Sequence, residues 1–565
     1  MEVHLRDYAH LVEGDDWTLA VREALHQCKL QPGSTLHLDG GRKHFRKKYA
    51  AEREYYITNN DGGHKFIVFP VIGFEGLTID GDGADLIFHG TINPFVIDQS
   101  HDIVLRNFSV DYEHPFYFQG RIVSADEHHC EMEYDTSVYE MTPGENCLTF
   151  GWAADDWSYR VETMLTTEFD AKTGAPSAYL PEYFVCFLNP PEKIPEGDWN
   201  RYVTASLPAP GRLLLKGEFH FSHTVGNVFV CTWNWRYNPG FFLNQSQEIL
   251  FEDVTLYHTA AMGIVGQLCE NVTMVRVNAV MRKGSGRYLT VCADATHFLN
   301  CTGRIRYESC TFLNMLDDGG NIHGTYTKYA RDIDDHTILL EYGHPQQCGV
   351  NLYSPGDKVN IVDNLTMQAV REMTVRSAEL FTNNALRLEF EETLPQMRKG
   401  YVVENFTKMP ELYINNCETG DNRPRGFLIS TRKHVEVTNS VFHNMVFALH
   451  LTGDTNNWFE SGPCNDVVVR NNRFVNAAYS WGAVIEIDSN VRVGHAPYHS
   501  NILIEDNYFE LQDKRFLKAD HAENLVMRNN TYHQNPELPA HGRTGEDGIL
   551  LEDCPNAKID PPREI

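Results

Sequence analysis

Along the chain, short runs of alternating apolar and polar residues recur, each followed by an Asn/Asp/Gly step and a second apolar pair. Ten copies start at Leu77, Ile103, Ile249, Val272, Ile305, Leu412, Val435, Val467, Ile502 and Leu525; Ile103-Val104-Leu105-Arg106-Asn107-Phe108 is typical. A period of two marks a strand with one buried face. The starts lie 23 residues apart three times (249 to 272, 412 to 435, 502 to 525), with 26, 32, 33 and 35 elsewhere. A coil of that size holding several short strands predicts one rung of a right-handed parallel β-helix, in which each rung pairs only with its neighbours. The class is all-β. A leucine-rich repeat would need a regular Leu-x-x-Leu-x-Leu frame and a helical segment per repeat, and neither is present. Asn and Asp at one frame position suit turns, because they satisfy local backbone and tolerate left-handed conformations.

Two interruptions break the series. Ile103 to Ile249 is 146 residues and Ile305 to Leu412 is 107, far more than a rung with a loop. The frame nevertheless survives the first, since Asn93-Pro94-Phe95-Val96-Ile97-Asp98 is echoed by Asn238-Pro239-Gly240-Phe241-Phe242-Leu243-Asn244. Alternating segments within the gaps, such as Leu213-Leu214-Leu215-Lys216 and Leu386-Arg387-Leu388-Glu389-Phe390, predict two small inserted β-barrels. Near the start, the stretch from Gly14 to Cys28 has helical spacing and an Asp N-cap candidate, the pattern of a helix capping the open end of a solenoid. After Tyr532 the pattern stops, and Pro536, Pro539, Pro555, Pro561 and Pro562 predict an irregular tail over the last rung. The expected division is 1–113 for the N-terminal β-helix with its cap, 114–237 for the first barrel and 238–324 for the catalytic rungs. The second barrel follows at 325–410, and 411–565 is the C-terminal β-helix and tail.

With 565 residues, 42% of them apolar, the chain can bury a large core. Its formal charge of 48 − 77 = −29 disfavours nucleic acid and acidic lipid as partners. Residues Met1 to Asp7 lack a basic and apolar leader, and no apolar run spans a bilayer. The expected compartment is therefore cytoplasmic if the chain is complete, and periplasmic or secreted if a signal was removed; a homo-oligomer is compatible with either. Thirteen scattered cysteines without a CxxC pair read as reduced core residues, not as a zinc site or a disulfide framework.

The candidate chemistry lies in Asp317-Asp318-Gly319-Gly320 and, 23 residues upstream, in Asp294 of Cys292-Ala293-Asp294-Ala295-Thr296-His297. Stacked rungs repeat every ~4.8 Å, so residues one rung apart form columns. The column holds if the extra residues of the longer Val272 rung fall before Asp294, in the glycine-rich stretch 281–287. Glycosidic cleavage needs an acid for the leaving oxygen and a second carboxylate to attack the sugar or activate water. Crowding raises carboxylate pKa values, so one member can stay protonated while its partner is ionised. Gly319 and Gly320 are expected to leave room for a sugar ring; the competing reading is a plain polar turn. His323 would orient a carboxylate or a sugar hydroxyl, or be a structural histidine. Trp233 and Trp235 would stack on a sugar, or pack inside the barrel. Arg282, Lys283 and Arg287 would donate to sugar hydroxyls, or be a solvated face. Asp421, Asn422, Arg423 and Arg425, in the corresponding turn of the next rung, are further candidates for the same cleft, while Asn314 and Asn444 fit turn or ladder roles.

The order of Phe69-Pro70-Val71-Ile72-Gly73, Leu77-Thr78-Ile79-Asp80-Gly81-Asp82-Gly83, Asn93-Pro94-Phe95, Phe108-Ser109-Val110-Asp111-Tyr112-Glu113-His114-Pro115-Phe116, Ala293-Asp294-Ala295-Thr296-His297-Phe298 and Asp317-Asp318-Gly319-Gly320-Asn321-Ile322-His323-Gly324 resembles the α-1,3-galactosidases of glycoside hydrolase family 110. The likeness runs from about Asp16 to about Asn530 and includes both insertions. It implies a β-helix bearing two β-barrels and inversion without a metal or other cofactor. It also implies a galactose-terminated oligosaccharide or glycoconjugate as substrate, including the blood group B antigen. By resemblance the acid falls on Asp317 and the candidate bases on Asp294 and Asp318. Inversion asks for carboxyls about 6.5–9.5 Å apart to admit a water, so direct stacking would be too close and the backbone must turn at Asp317-Asp318 for both to face one cleft. The second insertion, starting after Gly324, is expected to overhang that cleft. A polygalacturonase-like hydrolase would show Gly-His-Gly and Arg-Ile-Lys, against Ile322-His323-Gly324 and Arg304-Ile305-Arg306 here. A calcium-dependent lyase and a non-catalytic glycan-binding β-helix are the other rivals.

Overall fold

The computed structural model describes residues 1–152, 157–178, 182–191, 197–232, 236–536, 538, 540 and 542–565. The ten sequence copies form one parallel sheet, residue on residue. Leu77 pairs with Ile103, Ile103 with Ile249, Ile249 with Val272, and so on through Ile305, Leu412, Val435, Val467 and Ile502 to Leu525. Both insertions are thus looped out without a register slip, because a shift of one residue would turn every buried side chain to solvent. Five residues into nine of the copies the backbone is left-handed, with φ of 51–61° at Asn107, Asp253, Arg276, Ser309, Asn416, Asn439, Asn471, Asp506 and Asn529. Seven of the nine are Asn or Asp, for which this conformation costs least.

A second parallel sheet makes the opposite wall, with a column running Phe69, Phe95, Phe241, Ile264, Thr296, Gly320, Phe427, Leu449, Ile485, Leu517. Between the walls lies a continuous core. Phe69, Phe95 and Phe241 stack at centroid distances of 4.2 and 4.6 Å, and further along Asn472, Asn507 and Asn530 form a buried ladder with 3.0 Å side-chain hydrogen bonds. Such ladders satisfy polar groups that stacking would otherwise leave buried and unpaired.

Among the described residues, the first insertion closes seven strands, from Phe118–Ala125 to Val228–Thr232, into a barrel, with a three-stranded sheet at 140–161 beside it. The second closes six. Its first strand, Gly320–Asp332, starts as a rung paired with Thr296 and continues unbroken into the barrel, where Thr327 pairs with Tyr342. Ile338, Leu340, Val359, Ile361, Leu386 and Leu388 fill that barrel.

Helix Thr18–Lys29 covers the first rungs with Ala20, Val21, Ala24, Leu25 and Cys28 buried at helical spacing. Its first turn is held by Asp16, whose Oδ1 accepts from the Thr18 amide (3.0 Å) and hydroxyl (2.6 Å). The segment after Tyr532 is not an irregular tail. Ile549–Glu552, Lys558–Ile559 and Arg563–Glu564 pair in parallel with the previous coil and add one more rung. Pro555, Pro561 and Pro562 fall between these strands, where no ladder amide is needed. None of the thirteen cysteines is in a disulfide and ten are buried. No helix among the described residues is long and apolar enough to cross a membrane.

Candidate active site

The longer rung places its excess as the sequence required. Leu256 still pairs with Ala279 and Thr259 bridges to Val291, so the extra residues form a loop between 279 and 291, ahead of Asp294. The next step differs from the sequence frame. Thr296 pairs with Gly320, and two residues back the Ala295 amide donates to the Asp318 carbonyl at 2.8 Å. The rung step is therefore 24 here, and Asp294 stacks on Asp318, with Asp317 one residue earlier. Between strand Thr311–Leu313 and Gly320 the chain bends, which brings both adjacent carboxylates to one cavity. The Asn422 amide donates to the carbonyls of Asp317 (2.8 Å) and Arg425 (2.7 Å), and Asn444 in turn donates to Asn422 Oδ1 at 2.7 Å.

Gly319 and Gly320 do not make room for a sugar. A Cβ on Gly319 would lie 2.6 Å from the Gly426 carbonyl oxygen, and one on Gly320 would lie 2.5 Å from the Phe427 ring. The missing side chains let the next rung stack. Gly319→Ala is expected to lower unfolding stability by about 1–3 kcal/mol, the usual cost of overpacking, as read from denaturant midpoints; an unchanged midpoint would contradict this account of the glycine.

The trio sits in a cavity of about 400 Å³. One wall is the first barrel, through Leu165, Glu182, Phe184 and Thr232; another is the segment carrying Asn457, Trp458 and Glu460. Among the described residues the second barrel contributes nothing to the lining, so the overhang belongs to the first insertion and not the second.

Charge divides the trio. Asp317 Oδ2 accepts from Arg236 Nη2 at 2.6 Å, with Arg423 and Arg425 at 3.7 and 3.8 Å from Oδ1. Burial pushes its pKa up, but the three guanidiniums outweigh burial and hold it below the ordinary carboxylate value. Asp318 accepts from Arg425 Nε at 2.7 Å, yet burial, with help from Asp317 and Asp294, raises it. Asp294, 2% exposed, is raised by burial and by Asp317. Each has an oxygen within 4.8 Å of the others. That is closer than the sequence expectation for a two-carboxylate inverting site, and it suits a direct nucleophile as readily as a water-activating base. Three oxygens at this spacing also match a hard-cation site, but guanidiniums already occupy an oxygen of Asp317 and one of Asp318.

Behind Asp294 runs a two-histidine chain, His297 and then His323. His323 Nδ1 is 2.6 Å from the Gly324 carbonyl, a pure acceptor, so this nitrogen carries a proton. Burial depresses both imidazoles, His297 to about 4, and keeps both rings neutral. His323 Nε2 then accepts from His297 Nε2 at 2.9 Å, leaving His297 Nδ1 bare at 2.7 Å from Asp294 Oδ2. In that arrangement of tautomers Asp294 is the donor, in its protonated form; Glu460 Oε1, 3.5 Å from His323 Nε2, is a second acceptor facing the same chain.

The other sequence candidates fall in different places. His323 is buried one layer behind the cavity and acts through His297. Arg425 and Arg423 line the cavity, while Asp421 faces away to His443 at 3.1 Å. Arg282 and Arg287 are not at the sugar cavity. Arg282 bonds Asp85 and Asp111 at 2.6 Å, and Arg287 bonds Asp111 at 2.5 Å and the Tyr112 carbonyl at 2.9 Å, tying the 280–290 loop to earlier rungs. Trp233 and Trp235 lie outside the described residues. Sequence reasoning missed Arg236, His297, Glu182, Trp458 and Glu460, all lining the cavity. Only His297 and Arg236 fall within stretches already of interest; the rest come from segments with no repeat frame.

A buried carboxylate trio with one ionised and two proton-holding members, at the base of a polar cavity on a β-helix, is the apparatus of a glycoside hydrolase. Known proteins agree. Residues 337–400, within the second barrel, match the family model GLAA-B beta-barrel domain II. The alpha-1,3-galactosidase A of Shewanella woodyi is 32% identical over 537 residues, covering 93% of this chain and 84% of its own. The alpha-1,3-galactosidases B of Bacteroides thetaiotaomicron and Phocaeicola vulgatus are 31% and 32% identical, over 95% and 92% of this chain and 87% of theirs. The chain belongs to the α-1,3-galactosidase family, glycoside hydrolase family 110.

Proposed function

We propose that the protein is an exo-acting, inverting α-1,3-galactosidase that releases terminal α-1,3-linked galactose from glycans, of the branched blood group B type or the linear Galα1-3Gal type. The observation that carries this reading is the trio Asp294, Asp317 and Asp318, buried together and divided by charge. A cavity of about 400 Å³ walled by the first barrel suits a chain end. Asn59, Thr232 and Asn321 line it with polar side chains suited to sugar hydroxyls. Trp458, with His344 at 4.0 Å and the Arg236 guanidinium at 5.5 Å, offers an aromatic surface for the apolar face of galactose.

In this mechanism Asp317 protonates the leaving oxygen, as the family resemblance implies, and Asp294 with Asp318, stacked on adjacent rungs, hold and deprotonate the attacking water. In the unliganded cavity the protons lie on the Asp294 and Asp318 side. The reactive form is therefore the reverse-protonated one, reached as sugar hydroxyls engage Arg236 and Arg425 and loosen their hold on Asp317.

The pH profile follows without deciding that order, because a coupled set titrates as a unit. Activity needs at least one proton and at least one ionised carboxylate in the trio. It falls at low pH as Asp317, held below the usual range, takes up the third proton and no carboxylate is left. It falls at high pH as the last proton leaves the raised pair, Asp294 at about 7 and Asp318 at about 8. The expected kcat/KM profile is a bell with its alkaline limb near these values; a limb absent up to pH 10 would contradict it. Incubation with Galα1-3Gal and with the fucosylated B-type trisaccharide tests the activity itself, and a purely glycan-binding β-helix would release no galactose from either.

A further inference from the structure

Beside the catalytic cavity lies a second, of about 1000 Å³, more than twice its size. The two are continuous, sharing Glu182, Trp199, Arg423, Arg425 and Asn457 as lining. At the shared boundary Arg423 is fixed, donating to Glu182 Oε2 at 2.6 Å and to the Leu316 carbonyl at 2.9 Å. Glu182 Oε1 is left buried with no protein partner. Two tryptophans open onto the second cavity, Trp199 at 61% and Trp481 at 59% exposure. Large aromatic surface is seldom left in water without a use. Trp481 is not loose, since it packs edge-on against Phe447 at 5.0 Å between centroids. Trp199 enters from the first barrel, ahead of strand Asn200–Ala209, and Trp481 from the β-helix, ahead of strand Ile485–Ile487. The two modules thus present aromatic faces to one space that adjoins the trio.

We propose that this second cavity is an aglycone subsite, in which Trp199 and Trp481 stack on neutral sugars beyond the scissile bond, making the enzyme selective for terminal galactose carried on an extended oligosaccharide. The inference rests on the galactosidase reading of the adjoining cavity. Aromatic faces recognise the C–H faces of hexoses, and the lining charges are mixed, with Arg201, Arg423 and Arg425 set against Asp198 and Glu182, which favours an uncharged glycan over a polyanionic one.

The test compares kcat/KM for Galα1-3Galβ1-4Glc with that for Galα1-3Gal, in the wild type, Trp481→Ala and Trp199→Ala. The wild type is expected to prefer the trisaccharide by about tenfold, roughly the worth of one good stacking contact. Trp481→Ala, at a residue lining the second cavity alone, should lose that preference while keeping its disaccharide rate within about twofold, which also reports that it folds; Trp199→Ala, at a residue lining both cavities, should lose more on the trisaccharide than on the disaccharide. No preference in the wild type, or an equal loss on both substrates in either variant, would overturn the subsite. If no glycan yields galactose, the galactosidase reading fails by itself, and the subsite is then decided by titrating the protein with lactose while following tryptophan fluorescence. A shift present in the wild type and lost in Trp481→Ala supports the subsite, and no shift in the wild type overturns it.

Discussion

Asp317→Asn is expected to lower kcat/KM on Galα1-3Gal by about a thousandfold or more, within the range for losing a general acid. A glycosidic oxygen leaving from a sugar is a poor leaving group, so the proton from Asp317 is worth most on the natural linkage. On a dinitrophenyl α-galactoside, whose leaving group needs no proton, the same variant should retain activity within about tenfold. The contrast matters because in the unliganded protein Asp317 is the ionised member, gripped by Arg236 at 2.6 Å. If the loss is equally deep on both substrates, Asp317 acts as base, and the acid is to be sought in Asp294 or Asp318.

The second large effect is expected at Arg425. This residue bonds Asp318 at 2.7 Å and stands 3.8 Å from Asp317, with its side chain a quarter exposed. Arg425→Met keeps much of the side-chain length but removes the charge that offsets two buried carboxylates. Breaking a buried ion pair while leaving its partner in place costs about 3–5 kcal/mol, and the partial exposure of Arg425 puts the expected loss near the low end. Because Arg425 lowers the pKa of both aspartates, its removal raises both, so both limbs of the pH profile move upward. Activity at neutral pH should fall by about a hundredfold, as Asp317 loses part of the field that sets it apart. Arg425→Lys should restore part of the stability but not the geometry, since a point charge cannot reproduce the guanidinium contacts to both aspartates. A variant with unmoved limbs and unchanged stability would contradict the role given to this arginine.

The β-helix was legible because every rung must satisfy the same register, and that constraint writes itself into the chain as Ile103, Ile249, Val272 and their equivalents. The left-handed turn position was legible for the same reason, as Asn and Asp at a fixed offset. Counting failed where rungs change length: a step of 24 instead of 23 pairs Asp294 with Asp318, and no local signal marks the added residue. Arg282 and Arg287 sit close to Asp294 in sequence but fold away, because Asp85 and Asp111, more than 170 residues earlier, offer two carboxylates on adjacent rungs. Pairings that distant leave no pattern in a single sequence. Arg236, Trp458 and Glu460 come from the end of an insertion and from a loop, where nothing repeats. The final rung was hidden by its own prolines, which mark breaks between strands and read as a tail when the strands are only two to four residues long.

The central claim, that the trio cleaves a terminal α-1,3-galactoside with inversion, is tested most directly by following galactose release from Galα1-3Gal by proton NMR before mutarotation. Initial appearance of β-galactose is the predicted result. Initial appearance of α-galactose would contradict inversion and make one member of the trio a nucleophile, as their oxygens, within 4.8 Å of one another, also permit.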